Sequence, residues 1–183
     1  ALPIWRDHVD LYYVHRREPT RPVEEIALTL SKFVKEGKVR GIGFSEISPA
    51  TLRRAHAVHP VTAVQSEYSL WSRQPELGVI QTCQELGVAF VPFSPLGRGI
   101  LTGTVEQTDS FGPLDFRKTN PRFLEPNFAA NKRALKPFLA LAREKDVKPS
   151  QLALAWVLAK GEHMIPIPGT RSIKHLDENL RAA

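Results

Sequence analysis

Residues that could bind a nucleotide follow directly after several short apolar runs of this sequence. Ser45 and Gln65 offer the hydrogen-bond donors and acceptors that a carboxamide needs, and Phe93 offers a flat face on which a ring could stack. After Phe93 come Gly97 and Gly99, and glycines let a backbone approach a phosphate closely. An amide, a ring and a pyrophosphate therefore each have a matching set of residues.

A fourth group lies near the end of the chain, where Gly169, Thr170 and Arg171 precede a predicted helix that begins at Ser172. The first turn of a helix has free N–H groups, and a guanidinium binds phosphate well, so these residues are a candidate phosphate site. Together with the three groups above, they predict NADPH as the ligand.

Other residue patterns have less specific interpretations. His15 follows the first apolar run and looks catalytic, although a lone histidine at a strand end is more often structural. Tyr13, two residues earlier, could be a catalytic phenol but more simply fills the interior.

Gly41-x-Gly43 lacks the third glycine of a dinucleotide fingerprint and is interpreted as close backbone packing. The turn from Ser94 to Gly97 is an ordinary turn at least as often as a phosphate loop. Ser172 could simply begin the last helix.

The remaining cysteine and histidines predict no metal site. Cys83 lies within a predicted helix and is interpreted as a small packing residue. His56, His59 and His163 have no partners at the spacing of metal ligands.

The residues that must be positioned lie on alternating strands and helices. Apolar runs predict five strands, and amphipathic periodicity predicts a helix after each strand, with Ser48 as an N-cap and Gly87 as a C-terminal stop. The predicted strands are 9–15, 39–44, 61–65, 88–93 and 164–167, and the helices are 24–35, 49–58, 76–86, 131–145, 150–160 and 172–180.

Near-continuous apolar strands separated by helices predict a parallel sheet covered on both faces. Residues 1–183 are then a single α/β domain, either a doubly wound open sheet or part of a (β/α)8 barrel. Five units are too few to close a barrel, so a barrel would lack about three units. In both architectures the strand ends named above share one rim.

The stretch 104–127 breaks this rhythm, since prolines, glycine and polar residues occur there without clear periodicity. We expect a long loop, and long loops in compact domains are often functional. Substrate specificity is expected there and near Trp71.

Composition narrows the class of protein. The 183 residues carry a net charge of +6, but the basic residues are dispersed among acidic neighbours, so nucleic-acid binding is not expected. No apolar run is long enough for a membrane helix, and the start from Ala1 to Arg6 lacks the ordered regions of a signal peptide. A single cysteine predicts a reducing, cytoplasmic setting.

Five motifs, in order along nearly the whole chain, resemble the aldo-keto reductases. They are Asp10-Leu-Tyr-Tyr-Val-His-Arg16, Gly37-Lys-Val-Arg-Gly-Ile-Gly-Phe-Ser-Glu46, Val64-Gln-Ser-Glu-Tyr68, Phe93-Ser-Pro-Leu-Gly-Arg-Gly99, and Ile167-Pro-Gly-Thr-Arg171 with Glu178-Asn179. The resemblance is greatest to the branch acting on small aldehydes and pyridoxal-like compounds. It implies a (β/α)8 barrel, with this chain supplying strands four to eight, and NADPH bound across the carboxyl rim.

The resemblance also implies a role for each site residue. Ser45 and Gln65 would hold the nicotinamide carboxamide, Phe93 would stack on the ring in place of the usual tyrosine, and Glu46 stands where many members have asparagine. The pyrophosphate would be lined by Ser94, Leu96 and Gly99. The adenosine 2′-phosphate and adenine would be surrounded by Gly169, Thr170, Arg171, His175, Glu178 and Asn179. Because His175 replaces a frequent arginine, 2′-phosphate recognition would rest mainly on Arg171.

The family chemistry is hydride transfer to a carbonyl carbon, with a tyrosine donating the proton and a histidine orienting the carbonyl. His15 matches that histidine, whereas the family's tyrosine, lysine and aspartate have no match in this sequence. Three functions remain open: part of an NADPH-dependent carbonyl reductase, a non-catalytic nucleotide-binding or partner-regulating module like the channel β-subunits, or an inactive truncated remnant. Exposed sheet edges of a partial barrel would also permit self-association.

Overall fold

The fold is built on a four-stranded parallel sheet with the strands in sequence order. The computed structural model describes residues 6–109 and 111–183. The strands are β1 (Val9–Val14), β2 (Val39–Ser45), β3 (Ala63–Glu67) and β4 (Ala89–Phe93), and their order in the sheet is β1-β2-β3-β4. All three strand pairings are parallel, as the apolar runs predict. The carboxyl ends of all four strands therefore lie on one rim.

Within the described ranges, six α-helices accompany the sheet. They are α1 (Val23–Lys35), α2 (Pro49–Val58), α3 (Val79–Leu86), α4 (Asn127–Glu144), α5 (Pro149–Leu158) and α6 (Ile173–Leu180). The Ser48 hydroxyl accepts a hydrogen bond from the Thr51 N–H, so the predicted N-cap of α2 is confirmed. Gly87 ends α3 in the left-handed conformation, as predicted.

The fifth predicted strand is not a strand. Residues 164–167 form only two isolated parallel bridges with β4, Phe90 with Met164 and Phe93 with Ile167. Phe90 donates to the His163 carbonyl and Ile165 donates to the Phe90 carbonyl, both at 2.8 Å. The next bond in the ladder needs an N–H from residue 92, which is proline. Because proline has no N–H, the ladder is interrupted there.

Two helix boundaries also differ from the prediction. The expected helix 76–86 is divided into a 3₁₀ turn, Gln74–Leu77, and α3, with Gly78 at φ 138° between them. The helix expected from Asn131 begins at Asn127. Between Thr104 and Asn127 the described residues form two short 3₁₀ turns, Phe116–Lys118 and Pro121–Phe123.

Close packing explains the glycines of β2. A Cβ on Gly43 would lie 2.5 Å from Cε1 of Tyr13 and 3.1 Å from the Ala63 carbonyl oxygen, and a Cβ on Gly41 would lie 2.5 Å from Oγ1 of Thr62. The interpretation of Gly41-x-Gly43 as a packing feature is confirmed.

Two hydrophobic clusters hold the fold together. The larger lies between the sheet and the helices and includes fully buried Phe44, Leu52, Val64 and Phe90. The smaller joins the segment after β4 to the helices beyond it, through Ile100, Leu101, Phe111, Phe123 and Phe128, together with Leu135 and Ala153. The long segment after β4 is thus anchored by its own aromatic side chains.

Within the described residues, no helix has both the length and the apolar character that crossing a membrane requires. The interpretation of the start from Ala1 to Arg6 falls mostly on residues 1–5, which lie outside the described part.

Candidate functional site

Ser45 ends β2, Gln65 lies two residues before the end of β3, and the two are paired in the β2–β3 register. The Ser45 hydroxyl is buried and accepts a hydrogen bond from Nη1 of Arg16 at 2.8 Å. Since the arginine can only donate, the Ser45 proton remains available to a carbonyl oxygen. Arg16 thereby prepares Ser45 as a donor, a role that the sequence did not reveal.

Gln65 lies beside Tyr13. Burial raises the pKa of the Tyr13 phenol, and the neighbouring Gln65 side chain only partly offsets that effect. Tyr13 therefore stays a neutral phenol against Gln65, and the same ring covers Gly43. The tyrosine packs beneath the positions that the sequence predicts to bind the carboxamide.

His15 follows the last residue of β1 and is exposed. The same Nη1 of Arg16 that reaches Ser45 also donates to the His15 carbonyl at 2.7 Å. Arg16, the residue after His15, therefore links the His15 backbone to the Ser45 side chain on the same rim.

The turn after β4 has an unusual backbone. Positive φ angles occur at Ser94 (49°), Gly97 (57°), Arg98 (58°) and Gly99 (99°). A Cβ on Gly99 would lie 3.3 Å from Nη1 of Arg117, which is a tight contact, and the φ of 99° itself favours glycine at this position. Two of its N–H groups are used within the turn, since Gly97 donates to the Ser94 carbonyl at 2.9 Å and Gly99 donates to the Leu96 carbonyl at 3.0 Å.

A cavity of about 780 Å³ extends from this turn to the first turns of α5 and α6. Nine of the predicted cofactor residues line it: Phe93, Ser94, Leu96, Gly99, Gly169, Thr170, His175, Glu178 and Asn179. The structure thus brings together two groups that are about 70 positions apart in sequence.

Four predicted site residues do not line this cavity: His15, Ser45, Gln65 and Arg171. The first three belong to the strand ends on the other side of Phe93. Arg171 is exposed, and Lys148 and Lys174 line the cavity instead. Lys148 directly precedes Pro149, the first residue of a helix, and a cation at that position was a signal in the sequence for an anion site.

The first turn of α6 is organised by two hydroxyls. Ser172 accepts from the His175 N–H at 3.4 Å and caps the helix, as the prediction allowed. Thr170 accepts from the Ser172 N–H at 3.1 Å. Nε2 of Gln151 donates to the Glu178 carbonyl at 3.1 Å and ties α5 to α6. This wall of the cavity is therefore held by specific bonds.

Glu67, at the end of β3, is the centre of an ion-pair cluster that sequence reasoning missed. Its carboxylate accepts from Arg98 at 2.8 Å, from Arg122 at 2.6 Å and from the Ser72 hydroxyl at 2.8 Å. Burial opposes ionisation, but these donors outweigh it and lower the pKa of Glu67. Beside it, Glu46 at φ 52° accepts from the Glu67 N–H at 2.8 Å.

A second cavity of about 600 Å³ adjoins this cluster and shares Phe93 and Arg98 with the first. Its wall also includes Arg16, Glu46 and Glu67. Arg98 therefore lies between the two cavities. Among the described residues, its Nε is buried without a hydrogen-bond partner.

These features fit a nicotinamide dinucleotide. The larger cavity lies within the usual size range of cofactor sites and joins an aromatic face to two polar ends. Lys148 and Lys174 place two positive charges at one end, beside the Glu178 carboxylate, and no ion pair to either lysine is found in the described part of the chain. In those same residues no group of three His, Cys, Asp or Glu side chains could hold a metal ion.

Comparison with known proteins identifies the family of the chain. A model of the aldo/keto reductase family matches residues 4–183. The chain belongs to the aldo/keto reductase family. The resemblance seen in the five motifs is confirmed.

Aldo/keto reductases of several organisms are similar to the chain. Probable aldo-keto reductase 1 of Glycine max is 49% identical over 178 residues, covering 96% of this chain and 51% of that protein. Aldo-keto reductase yakc of Schizosaccharomyces pombe, whose name carries the designation NADP(+), is 46% identical over 179 residues, covering 96% and 53%. The chain thus spans about half the length of the curated relatives it matches.

A solved structure confirms the fold class. The glycerol dehydrogenase AKR11B4 from Gluconobacter oxydans matches with a TM-score of 0.84 at 27% identity, over 94% of this chain and 52% of that one. The parallel sheet of this aldo/keto reductase chain is therefore an incomplete set of barrel strands, as predicted.

Proposed function

We propose that this chain forms the cofactor-binding half of an NADPH-dependent reductase that converts aldehydes or ketones to alcohols. The single observation that carries the proposal is the cavity of about 780 Å³ that joins Phe93 and the glycine turn to the first turn of α6. Membership of the aldo/keto reductase family and the NADP(+) designation of a relative support the choice of cofactor.

Each group of residues has a part in holding the cofactor. Ser45 and Gln65 bind the carboxamide, the Ser45 proton being free because Arg16 occupies an acceptor position of its oxygen. Phe93 stacks on the nicotinamide with its π-face. The pyrophosphate lies against Ser94, Leu96 and Gly99. The adenosine end is held by Gly169, Thr170, Arg171, His175, Glu178 and Asn179.

The lysines on the cavity wall support NADPH over NADH. Lys148 and Lys174 face the adenosine end, where a 2′-phosphate would need positive charge. Arg171 is outside the cavity wall, so the lysines carry more of this recognition than Arg171 does.

When bound, NADPH would supply the hydride for the carbonyl carbon of a small-molecule substrate. His15 would donate a hydrogen bond to the carbonyl oxygen and so orient it. The aspartate, tyrosine and lysine of the family have no match in these 183 residues, and the proton donor belongs to the other half of the barrel.

Titration of NADPH and NADH into the chain, followed by cofactor fluorescence, tests the proposal. We expect saturable binding of NADPH, and about tenfold weaker binding in Lys148→Met and in Lys174→Met, the size expected for one hydrogen bond to a charged group. Binding of NADH should change less than twofold in both variants.

Lys136→Met, at an exposed position of α4, is the matched control. Arg171→Met should have a smaller effect than either cavity lysine. Lack of NADPH binding by the unchanged chain would refute the proposal. Binding without carbonyl reduction after addition of the missing half would favour the non-catalytic nucleotide-binding module.

The proposal also includes self-association of the chain and its location in the cell. Within the described residues β1 pairs on one side only, so its free edge permits self-association, which sedimentation velocity would detect as dimers. The single cysteine supports a cytoplasmic location.

A further inference from the structure

The Glu67 carboxylate connects two segments with different parts in the proposed function. Oε2 accepts from Nη2 of Arg98 at 2.8 Å, and Oε1 accepts from Nη1 of Arg122 at 2.6 Å. Arg98 lies in the turn that lines the cofactor cavity. Arg122 lies in the second 3₁₀ turn of the long segment after β4. One carboxylate therefore bridges the cofactor turn and that segment.

The bridge is shielded from water more than an ordinary surface ion pair. The exposed fractions of the side chains are 18% for Glu67, 25% for Arg98 and 33% for Arg122. In the pair of Arg54 with Glu24, by contrast, they are 58% and 39%. Since solvent weakens exposed pairs, the Glu67 contacts can hold a conformation that a surface pair could not.

Arg98 is held from the opposite side as well. Nη1 of Arg117 donates to the Arg98 carbonyl at 3.1 Å, and the Arg98 guanidinium lies 4.6 Å from the centre of the Phe116 ring. Arg117 itself is fixed by Asp115, with bonds between 2.6 and 3.1 Å. The long segment therefore contacts both the side chain and the backbone of Arg98.

These contacts bear directly on the shape of the turn. Arg98 has φ 58°, a conformation that costs a non-glycine residue energy and persists only where its surroundings hold it. The next residue, Gly99, lines the cavity beside it. A change in the Arg98 contacts would thus alter the backbone that faces the cofactor.

We propose that Glu67 is a positioning residue that couples cofactor binding at the turn of residues 94–99 to the placement of the segment of residues 115–123. This inference rests on the proposed function, because it takes the larger cavity as the dinucleotide site. It assigns to Glu67 no contact with cofactor or substrate. Occupation of the turn stabilises the bridge, and the bridge in turn holds the segment in place.

NADPH titration combined with limited trypsin digestion of the full chain tests the coupling. Trypsin cleaves after lysine and arginine, so Lys118, in the first 3₁₀ turn of the segment, reports on its placement. In the unchanged chain, saturating NADPH should slow cleavage after Lys118 at least about fivefold. In Glu67→Gln, NADPH should bind about tenfold more weakly, and saturation should give no protection of Lys118.

Glu24→Gln is the matched control, because it also removes a carboxylate that pairs with arginine but lies away from both cavities. It should leave both readouts unchanged. Arg122→Met removes only the segment end of the bridge, and should lose protection of Lys118 even if Glu67→Gln folds poorly.

The coupling is refuted if the unchanged chain binds NADPH and both Glu67→Gln and Arg122→Met keep its affinity within twofold and its protection of Lys118. General destabilisation would instead speed cleavage with and without NADPH equally, which also refutes coupling. If the unchanged chain binds no NADPH, the proposed function fails first and the inference fails with it.

Discussion

Adding one methyl group at Gly43 tests the packing beneath Ser45 and Gln65, the positions proposed to bind the carboxamide. The new Cβ would lie 2.5 and 2.6 Å from Cε1 and Cδ1 of the Tyr13 ring, and 3.1 Å from the Ala63 carbonyl oxygen. The carbonyl belongs to the sheet and cannot move easily, so the ring must shift. Overpacking of this kind costs about 1–3 kcal/mol of unfolding free energy. For a chain of this size, a loss of about 2 kcal/mol lowers Tm by roughly 4–8 °C.

Urea unfolding followed by circular dichroism measures this loss for Gly43→Ala. Gly112→Ala is the matched control, since no atom lies within 4 Å of its added Cβ and its φ is not positive. It should change stability by less than about 0.5 kcal/mol. In a Tyr13→Leu background, Gly43→Ala should cost less than in the unchanged chain, because the two residues are in contact.

Gly43→Ala should also weaken NADPH binding, since Tyr13 lies against Gln65. A Gly43→Ala chain as stable as the unchanged chain, within about 0.3 kcal/mol, would refute the packing argument. So would a cost that is the same with Tyr13 and with leucine at that position.

Three further predictions follow from burial and charge. Burial raises the pKa of the Cys83 thiol to about 12, so a thiol reagent at pH 8 should label the folded chain only at its rate of unfolding; rapid labelling would contradict the buried position. Folding lowers the pKa of Glu67, so its carboxylate contributes fully to stability above pH 4.5, the pKa in the unfolded chain, and loses that contribution as pH falls through the lower pKa of the folded chain. In urea titrations below that range, the stability difference between the unchanged chain and Glu67→Gln should disappear. Phe123→Ala should cost about 3–5 kcal/mol in the same assay, whereas Phe116→Ala, at a position that is 51% exposed, should cost about 1 kcal/mol or less.

Much of the fold could be predicted because its signals are local. The four paired strands follow from apolar runs of five to seven residues, and helix ends follow from single residues such as Ser48 and Gly87. The order of the candidate site residues along the rim also follows, since every parallel strand places its carboxyl end on the same side.

The errors come from partners distant in sequence. Nothing near residues 164–167 indicates that their neighbour in the sheet carries Pro92 at the position where an N–H is needed. The segment 104–127 has no helical or strand period, yet Phe111 and Phe123 pack edge to face at 5.6 Å and anchor it. Local pattern therefore described that segment as a loop without revealing that it is packed.

The difference between local signals and contacts distant in sequence also explains which candidate site residues could be predicted. Ser45, Gln65 and Phe93 could be predicted as site residues because each lies at or just beyond the end of a predicted strand, and such ends are visible in sequence. Glu67 also ends a strand, but its partners are 31 and 55 residues away.

Glu67 acts as a bridge because the segment of residues 115–123 folds back over the turn of residues 94–99. No residue spacing within β3 could predict that contact. A positioning residue of this kind is thus defined by the chain topology rather than by its own motif. For that reason the ion pairs that link the turn to the segment, rather than further motif matching, are the contacts by which the proposed cofactor site can be tested.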